Sequence, residues 1–163
     1  MIDRHRVREI RISKEFEISH EKYPLGEEIE IIASDRQTCK MTVRFNIKTI
    51  IAYTSDGPVY RDSSVVDISL PKDYPMQLPC SVMRDAPPCH PNWYSHGLWD
   101  SGRWKMNEPL WDYIYRMGET IRFNPIHTNP YSPSNHGAAI EWMKEENKKY
   151  FPTTPLHGNT TEL

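Results

Sequence analysis

The sequence predicts an α+β fold in which an N-terminal helix, a four-stranded antiparallel meander, a long loop and two C-terminal helices follow one another. Three observations predict it: short β-rich runs dominate the first half of the chain, a loop without periodicity follows them, and amphipathic segments fill the rest. At 163 residues the chain has the length of one domain, which we place at residues 1–163 with a tail from about residue 152.

The first segment, from about Asp3 to Tyr23, is highly charged and is followed by Pro24. We interpret it as a helix that ends before the proline, because the residue before a proline disfavours helical geometry. Its apolar residues are Val7, Ile10, Phe16 and Ile18.

Four runs rich in Val, Ile and Thr follow, and turn signals separate them. They are Ile29–Ser34, Lys40–Tyr53, Ser63–Leu70 and Pro79–Arg84. The second run alternates apolar and polar residues, with Met41, Val43, Phe45 and Ile47 on one face. The pair Asp56-Gly57 is typical of a hairpin turn.

The central helix is predicted over Asn107–Phe123, with Asn107 as its N-cap and Pro109 in its first turn. A stripe of apolar residues at helical spacing predicts the face that it buries against the sheet. That stripe is Leu110, Ile114, Met117 and Ile121.

The last helix is predicted from Ser132, with Pro133 at its first helical position, to the residues before Pro152. Its apolar face consists of Ala138, Ala139, Trp142 and Met143.

Composition excludes several classes of function. The 20 basic and 22 acidic residues are balanced, which argues against nucleic acid and against a membrane surface as partners. No apolar run approaches the length of a membrane span, and the charged N-terminus does not resemble a secretory leader. Cys39, Cys80 and Cys89 are odd in number and scattered, which favours free thiols and a cytoplasmic location. We expect no cofactor.

The stretch "HPNWYSHGLWDSGRW", His90–Trp104, lies in a loop from about Asp85 to Met106. Loops of this length in a compact domain are commonly functional. Its aromatic residues alone can be explained as cover for the sheet edge, so the other side chains carry the functional interpretation.

Two motifs and a helix start resemble those of ubiquitin-conjugating enzymes. They are "YPMQLP" at Tyr74–Pro79, "HPN" at His90–Asn92, and "SPSN" from Ser132. The resemblance extends from the first helix to about Phe151, and the spacing HPNxYxxGxxxxGxW is similar to bacterial relatives found beside ubiquitin-like proteins and their activating enzymes. It implies a ubiquitin-like protein as one partner. It also implies that an activating enzyme docks on the N-terminal helix, through Arg4, Arg6, Arg8 and Arg11.

The sequence departs from the family at the catalytic position. In the relatives a glycine, two further residues and then the cysteine follow HPN; from Gly97 this spacing leads to Asp100. No cysteine lies downstream of Cys89. Family thioester chemistry therefore cannot occur at its usual place, and whether Asp100 is natural or engineered stays open.

A first hypothesis is that Ser101 accepts the ubiquitin-like protein as an oxyester. A serine needs a general base, for which Asp100, His90 and His96 are candidates. The resemblance gives Asn92 one of two roles, stabilising the oxyanion or supporting the loop. Asp100 itself as nucleophile would give a labile mixed anhydride.

Three alternatives remain. Cys89 is a second candidate nucleophile, although a free cysteine is usually a small buried residue. The family also has a cysteine-less branch that only binds partners; in that interpretation Asp100 caps the loop and Ser101 is a turn residue. A metal site is the least favoured alternative, because the available ligands fit no zinc spacing. Those ligands are Cys89, His90, His96, Asp100, His127 and His136.

Overall fold

The computed structural model describes residues 1–153, so the predicted tail lies largely outside the described residues. Two kinds of layer build the fold, an antiparallel sheet and helices packed against it. In chain order the elements are α1 (Arg4–Lys22), β1 (Ile29–Asp35), β2 (Lys40–Phe45), β3 (Thr49–Thr54), β4 (Gly57–Arg61), β5 (Ser64–Ser69), β6 (Cys80–Met83), α2 (Leu110–Ile121), a 3-10 turn (Pro125–His127), α3 (His136–Met143) and a second 3-10 segment (Glu145–Tyr150).

The main sheet has four antiparallel strands in the order β1-β2-β5-β6, which confirms the predicted fold class. Each strand pairs with the next one along the sheet, and Val43 of β2 lies opposite Val66 of β5. The predicted alternation in β2 is confirmed, because its apolar residues all point into the core. These residues are Met41, Val43, Phe45 and, just beyond the strand, Ile47.

The predicted single strand Lys40–Tyr53 is wrong, since it is two strands that belong to different sheets. The chain turns away after Phe45, and β3 and β4 form a separate hairpin around the predicted Asp56-Gly57 turn. Thr49 then donates its hydroxyl to the Ile121 carbonyl at the end of α2, 2.7 Å away. Both halves of the run are apolar, so periodicity alone could not show where the chain leaves the sheet.

Helix α2 packs across the inner face of the sheet, as predicted. Its stripe residues Leu110, Ile114, Met117 and Ile121 have no exposed surface. Gly118 brings the helix close to the sheet, because a Cβ there would lie 3.0 Å from Cδ1 of Ile29. The helix begins at Leu110 rather than after Asn107, since Pro109 is its N-cap in an extended conformation.

Helix α1 has nearly the predicted bounds, with Asp3 as N-cap and Tyr23 as C-cap. Of its apolar residues, Ile12 and Phe16 are buried, whereas Val7 and Ile10 are more than half exposed. The N-terminal part of α1 therefore presents apolar side chains to solvent.

The last predicted helix is shorter and starts later. The backbone N–H groups of Ser134 and Asn135 both donate to the carbonyl of Pro91, so this segment is held by the loop instead of entering the helix. Asn135 caps α3, and Ala138 and Ala139 are buried as predicted. Met143, predicted on the apolar face, is 55% exposed.

The three cysteines are unpaired thiols, with Cys80 exposed and Cys39 and Cys89 half-buried. Within residues 1–153 no helix has the length and apolar character needed to cross a membrane.

Candidate active-site cleft

The long loop after β6 is ordered because part of it lies along the sheet edge. Trp99 donates its backbone N–H to Ser81, and Met83 donates to Gly97, so residues 97–99 extend the edge of β6. Gly97 has φ +105°, and a Cβ there would lie 3.1 Å from the carbonyl oxygen of Met83. Trp93 and Trp99 are buried and stack with ring centroids 6.0 Å apart.

The "YPMQLP" segment contacts the end of the long loop. Trp104, at the end of the loop, donates its indole N–H to the carbonyl of Pro75 at 2.8 Å. Its ring also lies 6.0 Å from that of Tyr74. The "YPMQLP" segment thus helps to hold the end of the "HPN" loop.

His90 is completely buried and braces the loop from below. Its Nδ1 accepts the backbone N–H of Asn92 at 3.0 Å, so the proton is on Nε2, which lies 3.1 Å from the Thr128 hydroxyl. Burial, with a smaller contribution from His127, lowers the pKa of His90 from 6.5 to about 3. His90 is therefore neutral with both nitrogens engaged, which does not suit a base for Ser101.

Asn92 uses both ends of its amide to hold the backbone of Asn129. Its Nδ2 donates to the Asn129 carbonyl at 2.9 Å, and its Oδ1 accepts the Asn129 N–H at 2.7 Å. Of the two roles implied by the resemblance, this geometry supports loop support rather than oxyanion stabilisation.

Asp100 forms a bridge between two segments. One carboxylate oxygen accepts the backbone N–H of Gly102 at 3.2 Å, and the other accepts the hydroxyl of Ser134. This is an Asx turn across Ser101, which is the capping role of the binding-only alternative. Neither oxygen accepts a hydrogen bond from the Ser101 hydroxyl.

Ser101 lies under that turn and is 7% exposed. Its carbonyl accepts a hydrogen bond from Arg116, but its Oγ is covered and has no hydrogen-bond partner among the described residues. A buried hydroxyl without a partner costs free energy, on the order of 1–3 kcal/mol. Such a group calls for a functional or structural explanation.

Ser101 forms part of a polar cleft of about 300 Å³. One wall consists of residues 99–102, the opposite wall includes residues 126–129, and α2 contributes Arg116 and Thr120. Three of the four predicted site residues line it, namely Asn92, Asp100 and Ser101, whereas His90 lies beneath.

Two residues of the cleft, Arg116 and His127, were not predicted from the sequence to belong to the site. Arg116 stacks over Trp99 with 5.1 Å to the ring centroid and donates two hydrogen bonds to Glu108, of 3.2 and 3.0 Å. His127 was considered only as a metal ligand, yet it lines the cleft, and burial lowers its pKa below the ordinary value. His127 belongs to the segment "NPIHTNP", which follows the central helix in sequence and to which the sequence analysis assigned no other function.

The remaining candidates lie elsewhere. Cys89 is half-buried against the β3–β4 hairpin and donates its backbone N–H to the Ile50 carbonyl at 2.7 Å. Burial raises the pKa of its thiol. His96 is exposed and stacks on Tyr94. Over residues 1–153, no three His, Cys, Asp or Glu side chains come together as a metal site would require.

This element order and sheet topology are those of the α+β fold of ubiquitin-conjugating enzymes. Among solved structures, S. cerevisiae Ubc12 has this fold: its TM-score is 0.58 at 19% sequence identity, over 85% of this chain and 73% of that chain. At this identity the similarity establishes the fold. No protein-family model and no curated protein matches the sequence.

Proposed function

We propose that this protein is the conjugating-enzyme-like component of a ubiquitin-like conjugation pathway and accepts the C-terminus of the ubiquitin-like protein as an oxyester on Ser101. The observation that carries the proposal is the buried, unpartnered hydroxyl of Ser101 beside the cleft. The fold and the loop pattern, which is similar to that of bacterial relatives, support the assignment to such a pathway.

The other two candidate nucleophiles fit less well. The carboxylate of Asp100 already accepts hydrogen bonds from Gly102 and Ser134. Cys89 does not line the cleft, and its raised pKa lowers the fraction of reactive thiolate. Ser101 is the candidate that both lines the cleft and keeps its reacting atom free of hydrogen bonds to the described residues, and its side chain must turn toward the cleft to react.

A groove between α1 and the "YPMQLP" segment supports docking of an activating enzyme. It encloses about 640 Å³ and includes the exposed apolar side chains of Val7, Met76 and Met106. Arg4 and Lys72 bring positive charge to its lining, which outweighs the carboxylate of Asp73 there. Exposed apolar side chains beside a basic surface suit a partner with apolar anchors and acidic residues.

The four arginines implicated by the resemblance are not equivalent. Arg8 donates to the carbonyls of Tyr74 and Pro71, at 2.9 and 3.1 Å, and Arg11 donates to the carbonyl of Glu108, at 3.2 Å. These two side chains hold α1 against the rest of the fold. The exposed Arg4 is the better candidate for partner contact.

A second candidate function is a binding scaffold without chemistry. The bridge from Asp100 to Gly102 and Ser134 favours it, because this carboxylate caps the loop and keeps Ser101 covered. Both candidates share the fold and the docking groove, and they differ only in whether a covalent adduct forms.

Intact mass distinguishes the two candidates. The full chain is incubated with its activating enzyme, ATP and the ubiquitin-like protein. The carrier predicts an adduct that resists neutral hydroxylamine, is cleaved by hydroxide, is lost in Ser101→Ala and persists in Ser95→Ala, an exposed serine of the same loop. An activating enzyme that binds without any adduct would establish the scaffold instead.

A further inference from the structure

We propose that His127 is the general base of the cleft and takes the hydroxyl proton when Ser101 is acylated; this inference rests on the proposed carrier function. The hydroxyl of a serine is a weak nucleophile unless a nearby base removes its proton. The structure therefore has to supply such a base at the cleft.

The bases predicted from the sequence are occupied or distant. His90 has both ring nitrogens in hydrogen bonds beneath the loop. Asp100 accepts from Gly102 and Ser134, and His96 is not part of the cleft. Among the described residues that line the cleft, His127 is the remaining side chain with the chemistry of a base at neutral pH.

The position of His127 is fixed by hydrogen bonds within its own turn. It ends the 3-10 turn Pro125–His127, which Asn124 caps by accepting the N–H of Ile126 at 3.0 Å. Its backbone N–H donates to Asn124 at 2.9 Å, and its ring makes no side-chain hydrogen bond with the described residues. A rigid backbone with an uncommitted imidazole is what positioning a base requires.

The surroundings of His127 keep the imidazole in its neutral form. The charged and titratable groups that face it are Glu119 and Arg116 of α2, Glu108 before that helix, and His90 beneath the loop. Burial favours the neutral ring and outweighs the two carboxylates, so its pKa lies below 6.5. At neutral pH the ring is therefore ready to accept a proton.

The step is an acyl transfer without any redox change. Oγ of Ser101 attacks the carbonyl carbon of a donor thioester, the Oγ–C bond forms and the C–S bond breaks. The hydroxyl proton passes to His127 and then to the departing thiolate. Ser101 and His127 are not hydrogen-bonded in the free protein, so rotation of the serine or one bridging water must connect them, as is common before substrate binds.

The small thioester S-phenyl thioacetate tests this base without a protein partner. Peptide mass mapping locates the acetyl group in the full chain, and the acetylated fraction of the Ser101 peptide over time gives the rate, because the free cysteines also exchange with a thioester and release thiophenol. We expect His127→Gln to slow acetylation about 100-fold or more, and free imidazole to restore the rate of His127→Ala. The matched control is His136→Gln, an exposed histidine at the start of α3, which should react like the wild type.

The pH dependence separates a base from a merely structural residue. The wild-type rate should rise with an inflection below pH 6.5 and level off above it, and His127→Gln should lack that inflection. Equal rates for wild type and His127→Gln, with the acetyl group on Ser101 in both, would overturn the role of His127 and leave the carrier intact. A wild type that is never acetylated on Ser101 would overturn the carrier, and with it the need for a base.

Discussion

The side chains of Asp100 and Ser134 join the two segments that flank the cleft, because the Ser134 hydroxyl donates to the Asp100 carboxylate across 34 residues of sequence. A charge-assisted hydrogen bond of this kind contributes roughly 1.5–3 kcal/mol. We expect Ser134→Ala to lower the free energy of unfolding by about 1–2 kcal/mol in urea titrations. Ser132→Ala, an exposed neighbour, should change it by less than about 0.5 kcal/mol. Equal effects of the two variants would show that the bridge is not formed in solution.

Replacing Asn92 should weaken the fold as well as the site. In Asn92→Ala both backbone groups of Asn129 lose their partner, for which we expect a loss of about 2–3 kcal/mol in stability. The measurement is urea unfolding, followed by the adduct yield at conditions where both proteins are fully folded. A variant of wild-type stability that has lost the adduct would instead favour oxyanion stabilisation.

The burial of His90 makes stability depend on pH. Its pKa is about 3 in the folded state against 6.5 ordinarily, so below pH 6.5 the unfolded chain binds the proton more readily. The contribution of the neutral, buried His90 to the free energy of unfolding is complete above pH 6.5. It is lost progressively as the pH falls and is gone at about pH 3. From pH 7.5 to pH 5 we expect a loss of about 2 kcal/mol from this group.

The contribution of His90 is isolated by comparison with His90→Gln. The variant is less stable at neutral pH, but its stability should fall less between pH 7.5 and pH 5, by urea unfolding at both values. Parallel losses in the two proteins would assign the acid sensitivity to carboxylates instead.

Alanine substitutions at two glycines of the loop test its backbone geometry. Gly97 and Gly102 both have positive φ, +105° and +77°, but only at Gly97 would a Cβ meet backbone, 3.1 Å from the Met83 carbonyl. Gly102→Ala should cost about 1–2 kcal/mol, the strain of the left-handed conformation alone. Gly97→Ala should lower the stability by at least about 1 kcal/mol more than Gly102→Ala, measured by thermal unfolding. A larger loss in Gly102→Ala would contradict the pairing of residues 97–99 with β6.

Charge reversal tests the docking groove. Arg4→Glu together with Lys72→Glu should weaken binding of the activating enzyme roughly tenfold at low salt, and less at high salt. Arg6→Glu is the control, because Arg6 is an exposed cation of the same helix that does not line the groove. Equal losses for the groove variant and the Arg6 variant, measured by titration calorimetry, would indicate a diffuse charge effect in place of a defined groove.

The parts of the fold that depend on local periodicity could be predicted from the sequence. The stripe from Leu110 to Ile121 has helical spacing, and every residue in it is buried. Val7 and Ile10 also have helical spacing but are exposed, because what covers a residue near the end of a helix depends on tertiary neighbours. The strand break after Phe45 was missed for a related reason, since the groups that draw β3 away lie near Ile121 and Cys89.

The site was predictable where a motif fixes positions along one loop. The family pattern located Asp100 and Ser101, and both line the cleft. It could not locate Arg116 and His127, because they reach the cleft from segments distant in sequence. It also could not show that His90 and Asn92 are hydrogen-bonded to Thr128 and Asn129, because these partners are brought together only by the tertiary fold.

The polar ties between the loop and residues 128–134 also have a thermodynamic consequence for any ligand of the cleft. Because His90, Asn92 and Asp100 each link the two segments, the walls are held together before a ligand arrives. A preorganised cleft loses little conformational entropy on binding, so affinity depends on the contacts that it makes and not on the ordering of its walls.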